Sequence, residues 1–191
     1  RTEQMAAFEV GDFAAMNTTQ IAALEPTHVA ALGTDHLVAM NSAQIRALES
    51  GDLAAMSASQ IRSFSDIQVA AIETADLRGL SSAQMGWFKP SQVAALTTFQ
   101  IVALTSLQVK ALTESQVAAL ESRQVRALSA LHVSVLDTED VAAIPGPVFG
   151  SLASTQIAAL TTAQVRGLRT EQIANLSSAQ ITAIQTDDLN A

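Results

Sequence analysis

A period of eight residues runs through the whole chain and constrains its fold more than any other feature. Twenty-four octapeptides make 192 residues, one more than the 191 present, so the sequence from Arg1 can be written as consecutive repeats with only the last incomplete. Thr161–Leu168 (T-T-A-Q-V-R-G-L) and Ser177–Ile184 (S-S-A-Q-I-T-A-I) show the pattern. With positions numbered 1 to 8, position 5 is apolar in every repeat, from Met5 and Phe13 to Leu189, and position 8 is apolar wherever it exists. Position 7 is Ala in 17 repeats, and Ser63, Ser151, Gly79 and Gly167 keep it small in four more. These columns predict an inward-facing pair at 5 and 8 and a close approach of neighbouring backbone at 7.

A continuous helix cannot carry this pattern, because eight residues at about 100° each leave the apolar pair roughly 80° out of phase per repeat. A strand fails too, since residues three apart point to opposite faces. Spacing of three suits one face of a short helix that ends and restarts in every repeat. Position 2 is Ser or Thr in 16 repeats, and 10 of the 18 acidic residues lie at positions 3 and 4, where a first helical turn favours negative charge. We therefore expect the cap at position 2 and the helix over positions 3 to 8. The competing frame caps at position 1 and reads S/T-x-x-Q as a capping box, as in Thr161 to Gln164; Pro26 and Pro90 at position 2 favour it locally. Helices of about six residues are not stable alone. The fold class expected is an all-α solenoid, one superhelix over 1–191 of about 24 units, each a short capped helix and a tight turn. An irregular unit falls at 145–152. The chain begins without Met and stops within a repeat, as expected of a piece of a longer array.

Position 4 holds Gln 15 times, Asp five times (Asp12, Asp52, Asp76, Asp140, Asp188), His three times and Val148 once. Gln, Asp and neutral His share a side-chain acceptor. Gln4, Gln20, Gln44, Gln60, Gln84, Gln100, Gln116, Gln156 and Gln172, with His28, His36 and His132, are expected to form a polar ladder that accepts from backbone N–H groups of the inter-repeat turns. Metal ligation or base catalysis by the histidines is the competing reading, weakened because all three stand in the Gln column. The Ser and Thr residues sit at cap positions, and no nucleophile elbow, phosphate loop or calcium loop occurs. Neither catalytic residues nor a cofactor is expected.

Composition narrows the partners. The formal charge of −8 argues against non-specific binding to nucleic acid or anionic membrane, and the absence of Cys excludes disulfides and thiolate metal sites. No apolar run reaches the roughly 20 residues of a membrane span, and no signal peptide is visible.

Departures from the pattern are the candidate contact residues. Trp87 replaces the small residue of position 7, either as an exposed anchor or as a local filler. Ile67, Phe99, Leu107 and Leu131 are apolar at position 3, with Val102 near Phe99, and suggest an outer patch for lateral packing or self-association. Arg46, Arg62, Arg78, Lys110, Arg126 and Arg166 share position 6 and suggest a basic stripe, or simply cations that offset the helix dipole. In Pro145-Gly146-Pro147-Val148-Phe149-Gly150-Ser151-Leu152 the cap and the Gln are lost, and Pro147 and Gly150 argue against a regular helix.

The motif [ST]-x-Q-[IV]-x-A-L at eight-residue spacing resembles the octapeptide arrays of large bacterial haem utilisation and adhesion proteins, including haemagglutinin-like surface proteins, and covers nearly the whole chain. The resemblance implies a bacterial secreted or surface protein in which the array is a stalk, spacer or adhesive surface. It carries no haem ligand onto any residue here. The sequence thus points to a structural and interaction module; the alternative is a superhelix that binds nucleic acid, glycan or protein through the position 6 stripe or the Trp87 region. Expected partners are neighbouring domains of the parent chain or another protein.

Overall fold

The computed structural model describes residues 8–184, which form 22 short α-helices and no strand. Gln4 and Asp188 of the position 4 column, and Met5 and Leu189 of position 5, lie outside the described residues. The chain divides into two compact halves, Arg1–Leu96 and Thr97–Ala191.

Each helix is four to six residues long and starts at position 2, as in Thr18–Ala22, Ser57-capped Ala58–Ser63 and Thr162–Arg166. The expected cap at position 2 is therefore one residue late. Position 1 is the N-cap: it is extended, as at Ser57 (φ −77°, ψ 165°), and its side chain accepts from the N–H of position 4 at Asn17, Ser65, Thr105, Thr161 and Ser177. Position 2 becomes the first helical residue, which is why Pro26 and Pro90 fit there without losing a bond. The helix stops because position 8 turns extended, as at Met40 (φ −67°, ψ 135°), followed by an equally extended position 1, Asn41 (φ −82°, ψ 170°). No described residue has positive φ, so the repeat closes without a glycine.

Positions 5 and 8 build the core of each half. Every such residue from Val29 to Leu160 is buried. The N–H of position 8 donates to the carbonyl of position 5 in its own repeat, as Leu120 does to Val117 at 3.1 Å, which tightens the end of the helix.

Each half is a solenoid whose turn is between three and four repeats. Helix Ser50–Ala55 packs between Pro26–Ala30 and Thr74–Gly79, each three repeats away, and Glu114–Ala118 packs on Thr138–Ala143 at the same offset. Position 4 side chains meanwhile reach backbone 28 to 31 residues earlier, in the fourth repeat back. The run G-D-F-A-A-M at 11–16 returns as G-D-L-A-A-M at 51–56, five repeats on, a spacing that matches neither offset.

The small residue of position 7 faces position 2 of the third repeat back: a Cβ on Gly79 would stand 2.7 Å from Cβ of Ser50, and the Ser151 hydroxyl donates to the Ser122 carbonyl. The irregular octapeptide is nevertheless helical, correcting the expectation for it. Helix Gly146–Phe149 has Pro147 in its first turn and Gly150 at its C-cap, where both residues are tolerated. A Cβ on Gly146 would lie 2.8 Å from the Glu171 carbonyl oxygen, and one on Gly150 2.5 Å from that of Asn175, so both glycines admit the backbone of the third repeat on. Glu171 repays the missing cap by accepting from the Gly146 N–H at 2.9 Å.

Candidate functional site

Among the described residues, the buried polar side chains all stand in the position 4 column, and the helix start puts them there. As the third helical residue, Gln60 turns back over its own N-terminus, and its Oε1 accepts from the Ser57 N–H at 2.8 Å. The same bond joins Gln44 to Asn41, Gln84 to Ser81, Gln100 to Thr97, Gln116 to Thr113, Gln156 to Ala153 and Gln172 to Arg169, at 2.7 to 3.0 Å. The amide nitrogen does what sequence reasoning missed: it donates across to the preceding turn. Gln60 Nε2 donates to the Val29 and Leu32 carbonyls at 2.9 Å each, Gln156 to Val125 and Leu128 at 2.8 and 2.7 Å, and Gln172 to Val141 and Ile144 at 2.8 Å each. Gln44 reaches Phe13 and Met16, and Gln84 reaches Leu53 and Met56, in the same way. These bonds close over the buried apolar pair, with Gln44, Gln124 and Gln172 at most 1% exposed. The requirement for one acceptor and two donors on a flat amide was legible in the preference for Gln over Glu, which never occupies position 4.

Histidine reproduces the geometry with its two ring nitrogens. His36 Nδ1 accepts from the Gly33 N–H at 3.2 Å, while its Nε2 lies 2.9 Å from the Phe8 carbonyl, 28 residues earlier. His132 Nδ1 accepts from Ser129, and its ring bonds the Leu104 carbonyl at the equivalent offset. Burial pushes the His132 pKa below its ordinary value, and the Leu104 bond opposes the shift. His28 accepts from the Glu25 N–H at 3.2 Å. Gln20 accepts from the Asn17 N–H at 2.9 Å but is exposed. No group of three His, Cys, Asp or Glu residues that could hold a metal occurs among the described residues.

Aspartate keeps the acceptor and loses the donor. Asp52, 2% exposed, accepts from the Glu49 N–H at 2.9 Å. Burial raises its pKa, and the Glu49 charge adds to the rise against the lowering effect of that bond. Burial likewise raises Asp140, with Asp137, Glu114 and Glu139 contributing, and Asp76, which accepts from the backbone of Ser50 in the third repeat back.

The remaining candidates lie on the outside. Ile67, Phe99, Leu107 and Leu131 are all well exposed, Phe99 at 80%. In the second half Leu107 and Leu131 occupy the same position of two helices, Ser106–Lys110 and Ala130–Val135, that pack on one another. Trp87 is neither a free anchor nor a core residue but half-buried, beyond a helix cut to Ser82–Met85 by Gly86 at its C-cap. The six cations of position 6 are exposed, Arg46, Arg62 and Arg78 in the first half and Lys110, Arg126 and Arg166 in the second. With three to four repeats per turn, successive repeats face different directions. Arg46 and Arg78 stand four repeats apart in the first half with Arg62 midway between them, and Lys110 and Arg126 stand two repeats apart in the second.

Five segments, residues 5–42, 45–72, 69–106, 88–122 and 149–186, match the ALTTAQ repeat and together span well over half the chain. The chain belongs to the ALTTAQ repeat family. Ala159–Gln164 spells the motif in full, and its letters acquire physical meaning here. In the ALTTAQ frame the first Ala is the close-contact residue of position 7, Leu the position 8 core residue, the first Thr the N-cap, and Gln the tie to the previous turn. Comparison with curated proteins finds no match.

Proposed function

We propose that this ALTTAQ array is a non-catalytic scaffold, a stalk, spacer or adhesive module of a larger bacterial protein, secreted or at the cell surface. The observation that carries this reading is the employment of the recurring polar side chains. Position 1 caps the helix, and position 4 spends both ends of its amide on backbone, as Gln156 does with Ala153, Val125 and Leu128. Variation is left to the outward positions 3 and 6, where Phe99, Leu107, Leu131 and the cations stand in solvent. A frame of this kind displays side chains at regular places and asks no chemistry of them. The likeness of the repeat to arrays in haem utilisation and haemagglutinin-like adhesion proteins agrees with the role. No described helix is long and apolar enough to cross a membrane.

The second reading, a superhelix that binds an acidic ligand, rests on the exposed cations of position 6, Arg46 and Arg78 among them. Titration with heparin and with duplex DNA at low ionic strength separates the two. A scaffold gives no saturable binding. Saturable binding that falls steeply with salt, and is lost in the Arg46→Ala, Arg78→Ala double variant, would replace the scaffold reading with the second.

A further inference from the structure

We infer that the second half of the array carries a docking surface for an acidic amphipathic helix of a partner protein. Four apolar side chains, Phe99, Val102, Leu107 and Leu131, stand there between 60% and 80% exposed. All come from the outward positions 3 and 6, which share one face of a short helix. The packing gathers them. Helix Ser106–Lys110, with Leu107, packs on Ala130–Val135, with Leu131. The His132 ring bonds the Leu104 carbonyl, which joins the Leu131 repeat also to the repeat of Phe99 and Val102. Helix Thr98–Ala103 of that repeat packs in turn on Ser122–Ala127, where Arg126 takes the place of Val102.

Charge on these four repeats has one sign to offer. Lys110 and Arg126 are exposed and pair with no carboxylate among the described residues, whereas Arg123 is held by Glu121 at 2.7 Å. Glu121 is the only acidic residue the four repeats contain. Glu114, Asp137, Glu139 and Asp140 belong to a different packed pair, Glu114–Ala118 and Thr138–Ala143. In a chain of net charge −8, an apolar surface with uncompensated cations is a local exception.

The occupant follows from area, charge and spacing. Four side chains of this exposure leave on the order of 400 Å² of apolar surface, about half of what each partner buries in a stable dimer. A second copy turned onto the same surface would bring Lys110 and Arg126 against their own counterparts, with no acid to answer them. An extended peptide finds no strand edge to join among the described residues. A helix fits. Packed helices stand about 8 to 10 Å apart, close to the roughly 10.5 Å between residues seven apart on one helix face, so Leu107 and Leu131 would seat successive anchors. Acidic residues that flank such a stripe meet Lys110 and Arg126. The inference rests on the scaffold reading, for which it names a partner, and can fail while that reading stands.

Fluorescence anisotropy of a labelled peptide of about 18 residues, with leucine along one helical face and glutamate on the other, measures the contact. The whole chain should bind it saturably. Phe99→Ser and Leu131→Ser, at exposed positions, should each weaken binding by about tenfold with the urea midpoint unmoved. The Lys110→Glu, Arg126→Glu double variant should weaken it by a similar factor, and a peptide with lysine in place of glutamate should bind the parent chain less tightly than the acidic one. No binding of the acidic peptide, equal or tighter binding of the lysine peptide, or binding indifferent to these variants would overturn the inference. So would sedimentation of the chain alone as a dimer that Phe99→Ser dissolves, which would make the occupant a second copy. Heparin and duplex DNA present no apolar helical face, so their titration tests the scaffold reading separately.

Discussion

Replacing Gln156 by Glu preserves the shape of the side chain, removes its only donor and places a carboxylate against two carbonyl oxygens, those of Val125 and Leu128. An uncompensated buried charge costs roughly 3 to 5 kcal/mol. Urea unfolding of Gln156→Glu at pH 7 should show a loss of that order, recovered as acid protonates the carboxyl and restores a donor; a loss independent of pH would deny the donor its role. The natural aspartates run this experiment in part. Because the folded-state pKa of Asp52 is raised by burial, the folded protein binds its proton more tightly than the unfolded chain does. That contribution to stability is complete below the unfolded value near 3.8 and is lost as pH rises through the higher folded value. Asp52→Asn should therefore raise stability at pH 7 and flatten the pH dependence above about 4, measured by thermal unfolding across pH. His132 has the opposite sign: its lowered pKa means that stability present above about 6.5 falls away in acid, and His132→Gln should remove that loss. At this scale the acceptor role of position 4 was readable from what Gln, Asp and His share. The donor role was not, because its partners lie 28 to 31 residues away in sequence.

At the scale of the helix, four to six residues suffice because both ends are satisfied and one face is buried. The frame follows from the cap, so Thr105→Ala should cost about 1 kcal/mol while Ser106→Ala, at the first helical position, should be near neutral in the same denaturation assay. Equal costs would return the cap to position 2. The sequence reading slipped by one residue because Ser and Thr are frequent at both positions, and the prolines that discriminate are only Pro26 and Pro90. The short apolar pair and the break in every repeat were legible from the period alone. The helicity of 146–149 was not, since it depends on Glu171 capping Gly146 from three repeats further on. A polar Asn175 in a column of small residues, matched by Gly146 and Gly150, was the available signal.

For the molecule as a whole, stability is carried by contacts between turns within each half, where helices pack three repeats apart and position 4 side chains bond to backbone in the fourth repeat back. Leu120, 2% exposed, should cost about 2 to 5 kcal/mol on truncation to Ala, read as a shift in urea midpoint, whereas Arg126→Ala on the surface should stay within about 0.5 kcal/mol. The period specified the repeat but not the number of repeats per turn, since every octapeptide carries the same local instructions. The turn is set by how far a Gln side chain reaches and how closely position 7 lets the next layer approach. The tie between turns can be observed directly through hydrogen exchange of the Gln side-chain amides, followed by NMR on labelled protein. The amides of Gln60, Gln156, Gln164 and Gln172, each donating to two buried carbonyls, should exchange orders of magnitude more slowly than that of exposed Gln20. Uniformly fast exchange across all of them, at the rate of Gln20, would mean that the turns are not held together in this way.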